Sequence, residues 1–289
     1  MTQQAPGFYR RRIGDLLVTA INDGFIDIGP EKLVNIDPAE AEARLQAAIH
    51  SRISRSSVNT FLIQGSIGGK DRTILIDTGA GDGMGPTMGR LLANLGAAGV
   101  QPGDVDMVIM THLHPDHSGN LATAGGTAVF PHAELAIPEP EAAFWLSEAT
   151  LARAPDGMKP YVLGAQSAAA PYRARMTMSE TPAPVITRMP LHGHTPGHSG
   201  YVIDGGSQSL LIWGDVMHMP ALQAADPSIC VVYDIDAAAA EASRRTALDM
   251  AAADDMLVAG MHLNFPAFHH VVRDGAGYRL IAEPWAAEV

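Results

Sequence analysis

Three imidazoles and one carboxylate fall within six positions of this chain, in Thr111-His112-Leu113-His114-Pro115-Asp116-His117-Ser118-Gly119. Imidazole nitrogens and carboxylate oxygens without a thiolate suit a divalent transition metal, Zn(II) first, with Mn(II), Co(II) and Fe(II) also accommodated. The segment follows Asp106–Met110, a short apolar run that reads as a buried strand. At a strand end His112 and His114 are two apart and project to the same side. Pro115 then turns the chain, so Asp116 and His117 can face a neighbouring position.

Two ions need more donors than this segment holds, and three later segments offer them, each next to a strand. In His194-Thr195-Pro196-Gly197-His198-Ser199-Gly200, Pro196 and Gly197 exclude a regular helix, so His194 and His198 are not a helical pair. A tight loop that aims one of the two inward is expected. Trp213-Gly214-Asp215 places a carboxylate just past a buried strand, where an unpaired charge is costly and a cation would compensate it. Gly260-Met261-His262 repeats the strand-end placement with an imidazole.

The elements that must hold these residues alternate between strand and helix. Leu16–Ile28 reads as strands broken by a hairpin at Asp23-Gly24. Asn59–Gln64 and Arg72–Asp77 read as a strand pair joined at Gly65–Gly69, and Met84–Leu95 has helical spacing. Ile186–Leu191, Tyr201–Ile203, Leu210–Trp213 and Met256–Met261 are further strands, and Val271–Ile281 is a hairpin around Gly275–Gly277. Asp236–Ala253 is Ala-rich and predicts a helix, with Asp236 or Asp234 as its N-cap. Two blocks of strands, each followed by helix, predict two sheets face to face with helices outside, an α+β sandwich of a single domain over residues 1–289. The segments near 30–55 and 149–184 are less regular and read as insertions over the site or at an interface.

Composition narrows the function. The 289 residues hold 19 Lys+Arg against 31 Asp+Glu, a formal net charge of −12. Such a chain repels phosphate backbones, which argues against nucleic acid as a partner. One cysteine, Cys230, excludes an intrachain disulfide. Arg10–Arg12 lead into Gly14 and Asp15 rather than an apolar segment, so no export signal is read there. No apolar run reaches the roughly 20 residues that span a bilayer. The expectation is a cytoplasmic protein that acts on a small molecule without membrane association.

Taken together, His112–His117, Thr195–His198, Gly214-Asp215 and His262 resemble the metallo-β-lactamase-fold hydrolases, as do the strands Val58–Leu62 and Leu75–Gly79. Met261–Pro266 and Arg273–Tyr278 are similar to the branch that holds methyl parathion hydrolase and acyl-homoserine lactonases. The resemblance implies a four-layer αββα sandwich with two metal ions at its open edge. It implies that His112, His114 and His198 hold one ion, that Asp116, His117 and His262 hold the other, and that Asp215 and a hydroxide bridge them. His198 is preferred to His194 because it stands at the Thr-Pro-Gly-His position. Asp77 would anchor the ligand loop by hydrogen bonds.

The chemistry so implied is attack by that hydroxide on a lactone or a neutral carboxylic ester. An organophosphate triester or another xenobiotic is the alternative at the same site, and a di-iron redox protein is a remote one. Asp116 would orient the nucleophile. His218, near where lactonases of this fold often have a Tyr, would donate to the substrate oxygen. Trp145, Met217, Leu263, Phe265 and Phe268 flank these segments and are expected to line the pocket, with Phe144 beside them. A homodimer is implied by analogy with the same branch.

Overall fold

Along Phe61-Leu62-Ile63 and Ile74-Leu75-Ile76 every side chain is apolar, which marks strands covered on both faces. The computed structural model, which describes residues 4–289, shows what covers them. In chain order the strands are β1 (Phe8–Ile13), β2 (Leu16–Ile28), β3 (Leu33–Val34), β4 (Ser54–Ile67), β5 (Lys70–Ile76), β6 (Met107–Ile109), β7 (Glu134–Ala136), β8 (Met176–Thr177), β9 (Ile186–Pro190), β10 (Ser199–Asp204), β11 (Ser209–Ile212), β12 (Cys230–Val231), β13 (Leu257–Ala259), β14 (Phe268–Asp274) and β15 (Gly277–Ala282). The helices are α1 (Pro38–Ile49), α2 (Leu91–Ala97), α3 (Pro115–Ser118), α4 (Glu139–Trp145), α5 (Glu148–Arg153), α6 (Lys159–Ala169), α7 (Pro220–Gln223) and α8 (Ala237–Ala253).

A seven-stranded sheet runs β1-β2-β4-β5-β6-β7-β8, and a six-stranded sheet runs β15-β14-β13-β11-β10-β9. Phe61, Ile63, Ile74, Ile76 and Ile109 point from the first sheet into a core shared with Ile203, Leu210, Ile212, Trp213 and Val258 of the second. That core continues to Ala247, Leu248 and Ala251 of α8. Leu62, Leu75, Val108 and Leu135, the alternate residues of the first sheet, pack instead with Leu91 and Leu95 of α2, Trp145 of α4 and Val162 of α6. The period of two thus divides the central strands of the first sheet between two hydrophobic layers, and the result is the expected four-layer αββα sandwich.

Two expectations need correction. Asp23-Gly24 is not a hairpin: β2 runs through it with a β-bulge at Asn22/Gly24, where φ of Gly24 is +146°. Asp23 is buried and accepts from the amides of Ala80, Gly89 and Leu91 at 2.9, 3.2 and 2.8 Å, so it braces the loop after β5 rather than turning the chain. Of Met84–Leu95, only the part from Leu91 onward is α-helical, because Pro86 and the positive φ of Gly85 and Gly89 interrupt it. The segment at 30–55 forms α1 and β3, with β3 paired to β12, and Ala41 and Leu45 of α1 share a small separate core with Met219, Leu222 and Val231. The segment at 149–184 supplies α5 and α6, which stand beside α3 and α4.

Candidate metal centre

Buried parallel strands deliver the chemistry-bearing residues at their C-terminal ends. β6 leads into His112 and His114, and α3 follows with Asp116 and His117. β11, parallel to β13, leads to Asp215 three residues past its end, and β13 leads to His262 in the same way. The turn between β9 and β10 brings His194 and His198.

Four trios of donor atoms converge there, each within 4.8 Å: His112, His114 and His194; Asp116, His117 and His262; His112, His117 and Asp215; and His194, Asp215 and His218. His114 Nδ1 lies 3.1 Å from His112 Nε2 and 3.0 Å from His194 Nε2. Asp215 Oδ2 is 3.2 Å from His117 Nε2, 3.3 Å from His194 Nε2 and 3.1 Å from the Nε2 atoms of both His262 and His218. Asp116 Oδ2 is 3.5 Å from His117 Nε2 and 3.4 Å from His262 Nε2.

The outward nitrogens explain why the inward ones face each other. His117 Nδ1 donates to Asp77 (2.7 Å), His194 Nδ1 to Asp234 (2.8 Å), His262 Nδ1 to the Ser57 carbonyl (2.9 Å) and His112 Nδ1 to the Thr111 hydroxyl (3.1 Å). Each partner fixes the tautomer that leaves an Nε2 lone pair pointing inward, the arrangement typical of metal-binding imidazoles. Asp77 also accepts from the Thr111 amide (2.7 Å) and hydroxyl (2.6 Å), so it ties the loop before His112 to the ring of His117. Two buried atoms at the centre, His117 Nε2 and Asp215 Oδ1, have no hydrogen-bond partner. Buried polar atoms are seldom left so, and cations among these donors satisfy both; the donor set fits the metal.

The structure reverses the choice between the two histidines of the β9–β10 turn. His194, not His198, faces His112 and His114. Both nitrogens of His198 are engaged with backbone: Nδ1 donates to the Leu191 carbonyl at 2.7 Å, and Nε2 accepts from the Asp215 amide at 2.8 Å. Its lone pair is therefore spent on holding Asp215 in place. A Cβ at Gly214, whose φ is +62°, would meet His198 Nε2 at 2.4 Å, so the glycine there makes room for this contact.

Comparison with known proteins agrees with this architecture. The family model of the metallo-beta-lactamase superfamily matches residues 53–262. The chain belongs to the metallo-beta-lactamase superfamily. It is similar over its whole length to the crystal structure of AbOPH, a hydrolase of the beta lactamase superfamily (TM-score 0.90, 30% identity, 98% of this chain and 100% of that one). It shares the fold of AidC, a dizinc quorum-quenching lactonase (TM-score 0.88, 23% identity, 97% and 98% covered). A shorter stretch of 65 residues is 46% identical to metallo-beta-lactamase domain-containing protein 1 of Rattus norvegicus, and one of 66 residues is 42% identical to that of Homo sapiens. Those matches span 22% and 23% of the curated relatives' lengths. The chain is thus a metallo-beta-lactamase-superfamily hydrolase with a His/Asp cluster for metal. Among its described residues no helix is long and apolar enough to cross a membrane.

The charges of this superfamily member are arranged so that protons stand in for cations. Against the effect of burial, His117 holds both Asp116 and Asp215 well below the usual carboxylate range. Burial by itself lowers His262, yet the charges of Asp215 and Asp116 hold it up at about 10. His194, bonded to Asp215 and Asp234, is likewise held at about 9 against its burial. His198 behaves in the opposite way and is pushed down to about 3, first by burial and then by the charge of His194. Ligation at pH 7.5 is therefore expected to displace protons from His194 and His262. Metal uptake in weak buffer at that pH is expected to release roughly two protons or more per chain, read with a pH indicator, and apparent affinity should fall on acidification. Proton-neutral uptake would show that these nitrogens are not the ligating atoms.

Two carboxylates in the centre's surroundings have roles that the sequence reading does not give them. Asp234 orients His194 and accepts from the Val231 amide (3.0 Å), while the other N-cap candidate, Asp236, caps α8 by accepting from Ala239. Glu141 on α4 is fully buried and accepts from the Leu113 amide, the Thr195 hydroxyl and the Gly197 amide at 2.9, 2.7 and 2.9 Å. Burial pushes its carboxyl up to about 7 despite these bonds. No motif marks either residue; only their strand- and helix-end positions hint at a role.

A cavity of about 520 Å³ opens over the cluster. Its floor includes His114, Asp116, His194, Asp215 and His218, and its walls are Ile26, Ile28, Met84, Trp145, Met158, Tyr161, Val232, Tyr233 and Ile235. Trp145 lines it as expected and sets its ring edge-on to His114 at 5.4 Å. The other pocket expectations fail. Met217, Leu263 and Phe268 are buried in the core between the sheets, where Phe268 packs on Phe61 and Tyr9. Phe265 lines a separate groove with Arg55 and Ser57, because the chain after His262 turns away from the centre. Phe144 packs on Trp145 and does not line the cavity.

Proposed function

We propose that this chain is a dinuclear metal-dependent hydrolase that opens lactones or neutral carboxylic esters of the acyl-homoserine-lactone kind. The observation behind this reading is that two trios of donors, His112, His114 and His194 and then Asp116, His117 and His262, flank Asp215 on the floor of an apolar cavity whose lining contains no Lys or Arg among the described residues. His112, His114 and His194 would hold one cation, Asp116, His117 and His262 the other, with Asp215 between them. Bound there, two divalent cations, Zn(II) first, supply a nucleophile from water near neutral pH and withdraw charge from an ester carbonyl.

The protein's own groups do the rest. Asp116 lies at the cavity floor with its carboxylate partly open, placed to accept a hydrogen bond from the attacking water. His218 differs from the anchored imidazoles, because its buried Nδ1 has no partner. Its ring stacks on His262 at 4.7 Å. Such a ring is held by packing rather than by an outer hydrogen bond, which suits a donor to the substrate oxygen better than a ligand. The apolar walls exclude water from the acyl part of a substrate, and with no Lys or Arg lining them they offer no partner to a charge carried on that part. AidC, the dizinc lactonase that shares this fold, is consistent with the reading.

The test is a panel of rates for the metal-loaded enzyme against aliphatic lactones, phosphotriesters, thioesters and lactams. Lactones are expected to be fastest, and to gain in kcat/KM with an apolar acyl chain. Faster turnover of phosphotriesters would replace the ester reading with the triester one. Turnover of thioesters or lactams alone would reject both.

A further inference from the structure

We propose that Glu141 is a positioning residue dedicated to one of the two cations, the one held by His112, His114 and His194; the inference rests on the two-cation reading above. The two oxygens of Glu141 serve different loops. Oε1 accepts from the Leu113 amide, which lies between His112 and His114. Oε2 accepts from the Thr195 hydroxyl and the Gly197 amide, in the turn that presents His194. One buried carboxylate therefore joins two loops some 80 residues apart that must present three imidazoles to a single point. The close approach depends on Gly197, where a Cβ would lie 2.1 Å from the Glu141 amide nitrogen and 2.5 Å from its Cβ.

The second trio is braced by other groups. Asp77 holds the ring of His117. The Asn59 side-chain amide donates to the carbonyls of Met261 (3.0 Å) and Leu263 (2.7 Å), on both sides of His262. The Ser56 hydroxyl donates to the carbonyls of His218 (2.9 Å) and His262 (3.2 Å). None of Glu141's hydrogen bonds reaches these segments. The chemistry of the two braces is opposite: Asn59 donates to carbonyls, whereas Glu141 must accept on both of its ends. Glutamine has the same shape but only one accepting end, so Glu141→Gln keeps the space filled and releases one of the two loops.

The experiment titrates metal-depleted protein with Co(II) and follows visible absorbance, with His194→Ala and His262→Ala as markers for the two sites. Wild type is expected to take up two equivalents. Glu141→Gln should weaken the equivalent that His194→Ala removes, by roughly 10- to 100-fold, and leave the equivalent that His262→Ala removes as in wild type. Thr195→Val deletes one of the three donors; it should move the same equivalent by a smaller factor, and it serves as the test if Glu141→Gln does not fold. Equal weakening of both equivalents, weakening of the His262 one, or no change in either overturns the assignment. Uptake of fewer than two equivalents by wild type overturns the two-cation reading itself, a distinct failure seen before any variant is made.

Discussion

In an Asp215→Ala variant, hydrolysis of the best substrate is expected to fall by about three orders of magnitude or more, equivalent to about 4 kcal/mol of lost transition-state stabilisation. The reason lies in the crowding around one oxygen. Asp215 Oδ2 is within 3.1–3.6 Å of five imidazole nitrogens, from His112, His117, His194, His218 and His262. That oxygen stands beside nitrogens of both cation trios, His112 and His194 of one and His117 and His262 of the other. Without it the two cations would lose their shared anionic neighbour and face each other with less charge compensation between them. The loss should appear in metal content as well as in kcat/KM, and Asp215→Asn, which keeps the volume and removes the charge, should share most of it. Near wild-type rates in Asp215→Ala would reject the place given to this residue.

His194→Ala and His198→Gln separate two histidines that the sequence leaves side by side. The first is expected to lose one metal equivalent and, with it, turnover by about three orders of magnitude. The second should keep both equivalents, because both His198 nitrogens bond only to backbone, and Gln supplies an oxygen able to accept from the Asp215 amide. Its activity should drop by roughly tenfold, the scale of a change that shifts a ligand without removing it. Elemental analysis and kcat on the same preparations decide the matter. Loss of a metal equivalent in His198→Gln with none in His194→Ala would restore the opposite assignment.

How far the sequence reaches follows from where the information sits. His112, His114, Asp116 and His117 are legible because strand β6 and Pro115 fix their directions locally. Asp215 and His262 are legible because each follows closely on a strand whose apolar run is plain. The choice between His194 and His198 is not local: it depends on Glu141, Leu191 and Gly214, which reach the turn from α4, β9 and β11. The same holds for Asp23, whose Asp-Gly pair resembles a hairpin turn until the amides of Ala80, Gly89 and Leu91 are brought to it. The cavity walls were the least legible part. Residues adjacent to a ligand in sequence, such as Leu263 and Phe265, leave the centre, and the lining comes instead from β2, α6 and the segment after β12.

That last division of labour has an evolutionary consequence. The donors hang from strand ends locked between two hydrophobic layers, whereas Met158, Tyr161, Val232 and Tyr233 stand on peripheral segments that bear no ligand. Selection can therefore retune which molecules are accepted by altering the periphery alone, with the reactive core inherited unchanged.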